Sequence, residues 1–146
     1  MRGFDGAERS GGELDGFRIG HVPDGVGDLV SDFATEWEDV RFASRVWERE
    51  TAEGARVDLR VHVLRGERLA TLVDLRDFLA GYHERPADDP TRNEFQHGDA
   101  RGLIGATEAF WLVEPGVGVD VIVDAELADE AVLLSIVGNV RPSQER

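Results

Sequence analysis

Two apolar runs, Ala109 to Val113 and Val117 to Val123, flank Glu114-Pro115-Gly116 and dominate the hydrophobic pattern of the chain. Pro115 fixes φ for the second position of a type II turn, and Gly116 supplies the positive φ that the third position requires. The second run alternates, with Val117, Val119, Val121 and Val123 on one side and Gly118, Asp120 and Ile122 on the other. This is the best-specified hairpin in the chain, and it is expected to lie in the middle of a sheet.

A second, longer hairpin is predicted from Glu38 to Trp47 and Arg56 to Leu64, with the loop Glu50-Thr51-Ala52-Glu53-Gly54 between them. One register places Val40, Phe42, Ser44 and Val46 with Val57, Leu59, Val61 and Val63 on one face. The same register sets Arg45 opposite Asp58 on the other, a pair worth a few tenths to about 1 kcal/mol. It also turns His62 outward, near Arg41.

Helical spacing follows. Thr71 and Asp74 form a loose capping box, and Leu72, Leu75, Leu79 and Tyr82, flanked by Val73 and Phe78, keep the 3.6-residue period. The start could lie as early as residues 66–69. His83 suits the negative end of the helix dipole, and Pro86 stops the helix. Short strands are expected at Glu94 to His97 and Gly102 to Ala106. A last helix runs from Glu130 to Val137, capped by Asp129 and ended by Gly138-Asn139, with Val132, Leu133, Ile136 and Val137 turned to the sheet. Near the start, Phe17 to Val22 alternates as a strand, and residues 24–35 read equally as loop or short helix.

The fold class is therefore α+β, in a single domain. A mainly antiparallel sheet of six to seven strands carries two helices, which suffice to cover one of its faces. Residues 1–16 read as a flexible tail, 17–140 as the domain and 141–146 as a frayed end. At 146 residues the chain is long enough for one buried core.

Composition excludes more than it assigns. The net charge of −14, from 30 acidic and 16 basic side chains, repels phosphate backbones and anionic lipid, so no nucleic acid and no membrane surface is expected as partner. A basic protein surface is the electrostatic complement. The chain has no cysteine and no lysine, which removes thiolate chemistry, Schiff bases and a lysine-bearing phosphate loop. No apolar run approaches a membrane span and no signal peptide or lipobox cysteine is visible, so the expected location is the cytoplasm.

Phe17-Arg18-Ile19 followed by Val22-Pro23-Asp24-Gly25 resembles the opening of PsbP-like domains. Gly105 to Trp111 resembles the strand entry after their central helix, and Leu133 to Val140 is similar to their closing helix. Small exported actinobacterial proteins of unknown function, many of them lipid-anchored, share the outline. The resemblance spans about residues 17–140 and rests on turn and core positions. It implies a curved antiparallel sheet with helices packed on it, serving as a non-catalytic accessory or binding module. The chain departs from it in lacking a signal peptide, a lipobox cysteine and a Trp after the first-strand Gly, which bears on export rather than on fold.

Candidate chemistry is sparse. None of His21, His62, His83 and His97 stands four residues from another, and Asp24 to Asp28 lacks the alternate carboxylates of a calcium loop, so neither metal nor cofactor is expected. None of the five serines lies in G-x-S-x-G. Aromatic and arginine residues are more informative. Trp37, Arg41, Arg45 and Trp47 share parity on the long hairpin, and either Trp111 or Phe110 leaves the core face. Such a stripe is either a binding surface or a second core covered by another segment.

Two functions follow. The first is a non-catalytic module, monomeric or homodimeric, that binds a protein or a small apolar ligand through Trp37, Arg41, Arg45, Trp47 and Trp111. The alternative is a hydrolase-type enzyme with a carboxylate/His cleft, in which His62, His97 or Tyr82 meets Asp or Glu. The absence of recognised catalytic motifs favours the non-catalytic module.

Overall fold

The central hairpin sits where the pattern places it. In the computed structural model, which describes residues 9–143, strand β8 (Glu108–Glu114) and strand β9 (Val117–Val123) flank a turn in which Gly116 has φ +93. Eight other strands precede and follow: β1 (Gly12–Leu14), β2 (Phe17–Ile19), β3 (Leu29–Trp37), β4 (Val40–Thr51), β5 (Gly54–Arg65), β6 (Asn93–His97), β7 (Ala100–Ile104) and β10 (Val140–Pro142). Helix α1 (Leu72–Tyr82) joins β5 to β6, and helix α2 (Glu130–Val137) joins β9 to β10. A seven-stranded antiparallel sheet runs β3-β4-β5-β9-β8-β7-β6, which puts β9 at its centre. A three-stranded antiparallel sheet, β1-β2-β10, packs beside it.

Alternation along the strands separates two cores. On one face Trp47, Leu59, Val61, Val63, Trp111 and Val121 pack with Leu133 and Ile136 of α2 and with Phe17 and Ile19 of β2. On the other, Val40, Phe42, Leu64 and Phe110 pack under Leu75, Phe78 and Leu79 of α1. The two helices thus cover opposite faces, not the single face expected. Gly118 lets α1 approach closely: a Cβ there would stand 3.0 Å from the Leu75 methyl groups.

Helix ends follow their local signals. The Thr71 side chain accepts from the Asp74 N–H at 3.1 Å, the Asp74 carboxylate returns to the Thr71 N–H at 3.2 Å, and the helix begins at Leu72. Asp129 caps α2 and Gly138 ends it.

The long hairpin departs from the expected register, and the cause is a β-bulge. Its turn is only Ala52-Glu53, so Glu48 pairs with Val57. Trp47 then pairs with Leu59, leaving Asp58 as an extra residue of β5. Beyond that point every side chain of β5 changes face relative to β4. Phe42 opposes Leu64, Val46 opposes Arg60, and Arg45 opposes Val61 rather than Asp58. His62 points into the structure, opposite Ser44, instead of outward beside Arg41.

Three segments that were not expected as strands are strands. Residues 12–14 form β1 through a turn in which Asp15 and Gly16 have φ +48 and +88. Val140–Pro142 adds β10 to that sheet, bringing residues near both ends of the chain together. Residues 29–37 form β3, joined to β4 by Glu38-Asp39 with φ +53 and +67. Of the tail expected over residues 1–16, residues 1–8 lie outside the described residues. Among the described residues no helix is long and apolar enough to cross a membrane.

Candidate functional site

The fold divides the Trp/Arg stripe. Trp37 ends β3 on the α1 face, 39% exposed, with Phe78 and Tyr82 edge-on at 5.3 and 5.5 Å. Arg41, Arg45 and Trp47 lie on the opposite face by strand alternation. Arg41 is exposed, and Arg45 forks onto Asp32 at 2.7 and 2.9 Å while reaching the Gly11 carbonyl at 2.6 Å. The guanidinium hydrogen bonds hold the Asp32 carboxyl below its usual range. Trp47 and Trp111 are core residues, 2% and 1% exposed. Covering by another segment therefore describes Trp47 and Trp111, while Trp37 and Arg41 stay at the surface.

The surface that Trp37 belongs to is β3 itself. This nine-residue strand ends the seven-stranded sheet and pairs only with β4 among the described residues. Its outer row of backbone N–H and C=O groups meets no strand, the arrangement that templates strand addition. Alternation sorts its side chains. Leu29, Phe33 and Trp37, exposed by 44%, 54% and 39%, lie on the α1 face, and Asp32 and Glu36 lie on the other with Val30 and Ala34. Tyr82 borders this face, edge-on to Trp37 and packed against Phe42 of β4.

Bulged Asp58 positions the start of β3. Its buried carboxylate accepts from the Gly27 N–H at 2.8 Å and from the Arg49 guanidinium at 3.2 Å. A Cβ on Gly27 would lie 2.1 Å from the Glu48 carbonyl oxygen, so only glycine lets the chain pass this close to β4.

A second cluster lies where the end of α1 meets the sheet. Phe33, Ser44, His62, Asp120 and Phe110 form one row across β3, β4, β5, β9 and β8. Ser44 Oγ stands 2.6 Å from His62 Nδ1. Burial, reinforced by the neighbouring His83, pushes the His62 pKa down to about 4. His83, at the C-cap of α1, brings Nε2 to 3.2 Å from Asp120 Oδ2 and 3.8 Å from Glu108 Oε2. Arg85 donates to the other Glu108 oxygen. Burial and the adjacent Glu108 carboxylate push the Asp120 carboxyl well above the usual range. Glu108 is raised by burial, but hydrogen bonds from Asp120 and Arg85 outweigh this and hold it below.

Ser44, His62 and Asp120 combine a hydroxyl, an imidazole and a carboxylate, but each is less than one-tenth exposed, and Ser44 engages Nδ1. A carbonyl substrate has no approach to a hydroxyl so enclosed. Of the residues expected to meet a carboxylate, His62 meets Ser44, and His97 Nε2 lies 2.9 Å from the Val137 carbonyl. The residue that does so is His83, which sequence spacing does not connect to Glu108 or Asp120. The visible signal was Asp120 itself, a lone carboxylate inside an alternating valine run.

His97 also stacks on Trp111, with centroids 4.4 Å apart and planes inclined by 15°. The pair walls a cavity of about 340 Å³ together with Phe17, Phe95, Leu134 and Arg141.

Comparison of the chain with protein-family models, with curated proteins and with solved structures gave no match.

Proposed function

We propose that this protein is a non-catalytic interaction module that receives an extended segment of a partner protein along β3. The observation that carries the proposal is the two-sided character of this edge strand. Leu29, Phe33 and Trp37, spaced by Ser31 and Thr35, give one face its apolar character, and Asp32 and Glu36 alternate with Val30 and Ala34 on the other. A complementary strand places apolar side chains beside the first row and basic ones beside the second, with main-chain hydrogen bonds supplying affinity. Edge strands are blunted by proline, bulges or charges; β3 has no proline and no bulge, carries acidic charges alone, and is regularly paired with β4 over its full length. The resemblance of residues 17–140 to PsbP-like domains supports the same class of function.

Charge favours a basic partner over a second copy. The chain carries −14, and Asp28, Asp32, Glu36, Glu38 and Asp39 cluster in and around β3, so two copies meeting edge to edge would oppose like charge. Of the internal cations on this face, Arg45 is already committed to Asp32, and Arg41 stands opposite Glu36 in the register.

The experiment is titration with a blocked nine-residue peptide alternating valine and arginine, read by Trp37 emission. Trp47 and Trp111 are buried, so Trp37 is the responsive fluorophore. A blue shift that Phe33→Glu abolishes, with a scrambled peptide of equal composition inactive, supports the reading. No shift overturns it. Dimerisation of the free chain that Phe33→Glu dissolves overturns the choice of occupant in favour of a second copy.

The cavity beneath His97 supports a second reading, a small flat apolar ligand. Its volume of about 340 Å³ lies within the range of ligand sites, and its walls are largely aromatic and aliphatic.

A further inference from the structure

The carboxylates under the end of α1 are short of partners. Apart from the contact the two carboxyls make with each other, Glu108 Oε2 and Asp120 Oδ1 are buried without a hydrogen-bond partner, on side chains that are 7% and 0% exposed. Buried carboxylate oxygens are costly unless a donor or cation meets them. Arg85 satisfies one oxygen of Glu108 and leaves Oε2 turned toward His83. His83, Glu108 and Asp120 each offer a donor atom, and the three atoms lie within 4.8 Å of one another. Of the separations from His83 Nε2, the 3.2 Å to Asp120 Oδ2 fits a shared ion as it stands, and the 3.8 Å to Glu108 Oε2 needs a small side-chain shift. Bonds of about 2.0–2.2 Å at tetrahedral or octahedral angles space neighbouring donors by roughly 3–3.6 Å.

We propose that His83, Glu108 and Asp120 form a binding site for one first-row divalent cation, held by one imidazole and two carboxylates. The three ligands come from separate places: the C-cap of α1, the first residue of β8 and the middle of β9. An ion there ties the end of α1 to the centre of the sheet. The mixed nitrogen and oxygen donor set, without sulfur, suits Zn²⁺, Co²⁺ or Mn²⁺, and among these Zn²⁺ binds most tightly by the usual affinity order. Arg85 on Oε1 makes Glu108 a one-oxygen ligand, and the partial exposure of His83, 19%, leaves a side open to water. The site is independent of the β3 edge, so either can fail alone.

The test is titration of chelator-treated protein with Co²⁺ and then Zn²⁺, followed by calorimetry and by the visible bands of protein-bound Co²⁺. The expected result is one equivalent of Co²⁺, displaced by Zn²⁺ and accompanied by a rise in melting temperature. His83→Gln and Asp120→Asn should each weaken binding by at least about a hundredfold, because even outer partners of a ligand are worth about 10–100-fold. His97→Gln, remote from the cluster, should bind as the native chain does. Asp120→Asn keeps the side-chain shape, and His83→Gln changes a partly exposed position, so two folded variants carry the test, each checked by circular dichroism. Absence of a one-equivalent site overturns the proposal. Weak uptake of several ions shared by both variants also overturns it, since that is what an acidic surface alone would give.

Discussion

Ser44 Oγ and His62 Nδ1 are 2.6 Å apart across β4 and β5, enclosed so well that both side chains are less than one-tenth exposed. Ser44 from β4, Asp120 from β9 and His83 from the end of α1 face this imidazole, with Arg60 and Glu108 nearby. The folded chain holds His62 neutral, with a pKa near 4 against an ordinary 6.5. Below about pH 6.5 the unfolded chain takes up a proton that the folded one refuses, so the stability present above that pH is lost as pH falls toward 4. The span corresponds to about 3 kcal/mol. Asp120, whose carboxyl is raised, acts in the opposite sense: its contribution is present at low pH and lost as pH rises through its folded value. Urea midpoints at about pH 7.5 and about pH 4.5 should therefore fall more steeply for the native chain than for His62→Gln. Equal slopes would show that His62 is not the group responsible.

Gly27 and Asp58 anchor the start of β3. Gly27→Ala forces a Cβ toward the Glu48 carbonyl oxygen, at 2.1 Å before any adjustment, and must push β3 away from β4. The expected loss is about 2 kcal/mol or more, among the larger single-residue effects because backbone has to move. Gly54→Ala adds a Cβ that meets nothing within 4 Å but sits at a positive φ, +110, which Gly27 does not share, so it reports backbone strain without a clash. Chemical denaturation of both variants checks this, and Gly27→Ala should lose more stability than Gly54→Ala.

Quenching should separate the three tryptophans. Only Trp37 is exposed, while Trp47 and Trp111 lie in the core. An acrylamide-accessible fraction should vanish in Trp37→Phe and persist in Trp47→Phe and Trp111→Phe. His97→Ala should make Trp111 newly accessible, because the imidazole stacked on it walls the cavity.

What could be read from the sequence was what depends on neighbours a few residues apart. Pro115-Gly116, the Thr71–Asp74 box and the Asp129 cap each act within one turn, and each stands where its residues place it. The shift in the long hairpin was hidden because Asp58 became a bulge through partners distant in sequence, Gly27 and Arg49. One inserted residue then moved His62 from solvent to core. Strand β3 was hidden for another reason. Leu29, Phe33 and Trp37 recur every four residues, which suits a helix face and a strand face alike, and Glu38-Asp39 turns with positive φ without glycine. The same ambiguity placed Trp37 in one stripe with Arg41, although the turn between them puts the two on opposite faces. The cluster of His83, Glu108 and Asp120 needs the helix packed on the sheet before it exists at all.

Strand addition at β3 is tested most directly by residue-resolved amide hydrogen exchange of the 29–37 segment with and without the alternating valine–arginine peptide. The account predicts new protection at alternate β3 amides, those pointing away from β4, and none with a peptide whose backbone nitrogens are methylated along the pairing edge. Unchanged exchange along β3 in the presence of saturating peptide, or equal protection by the methylated peptide, would contradict it.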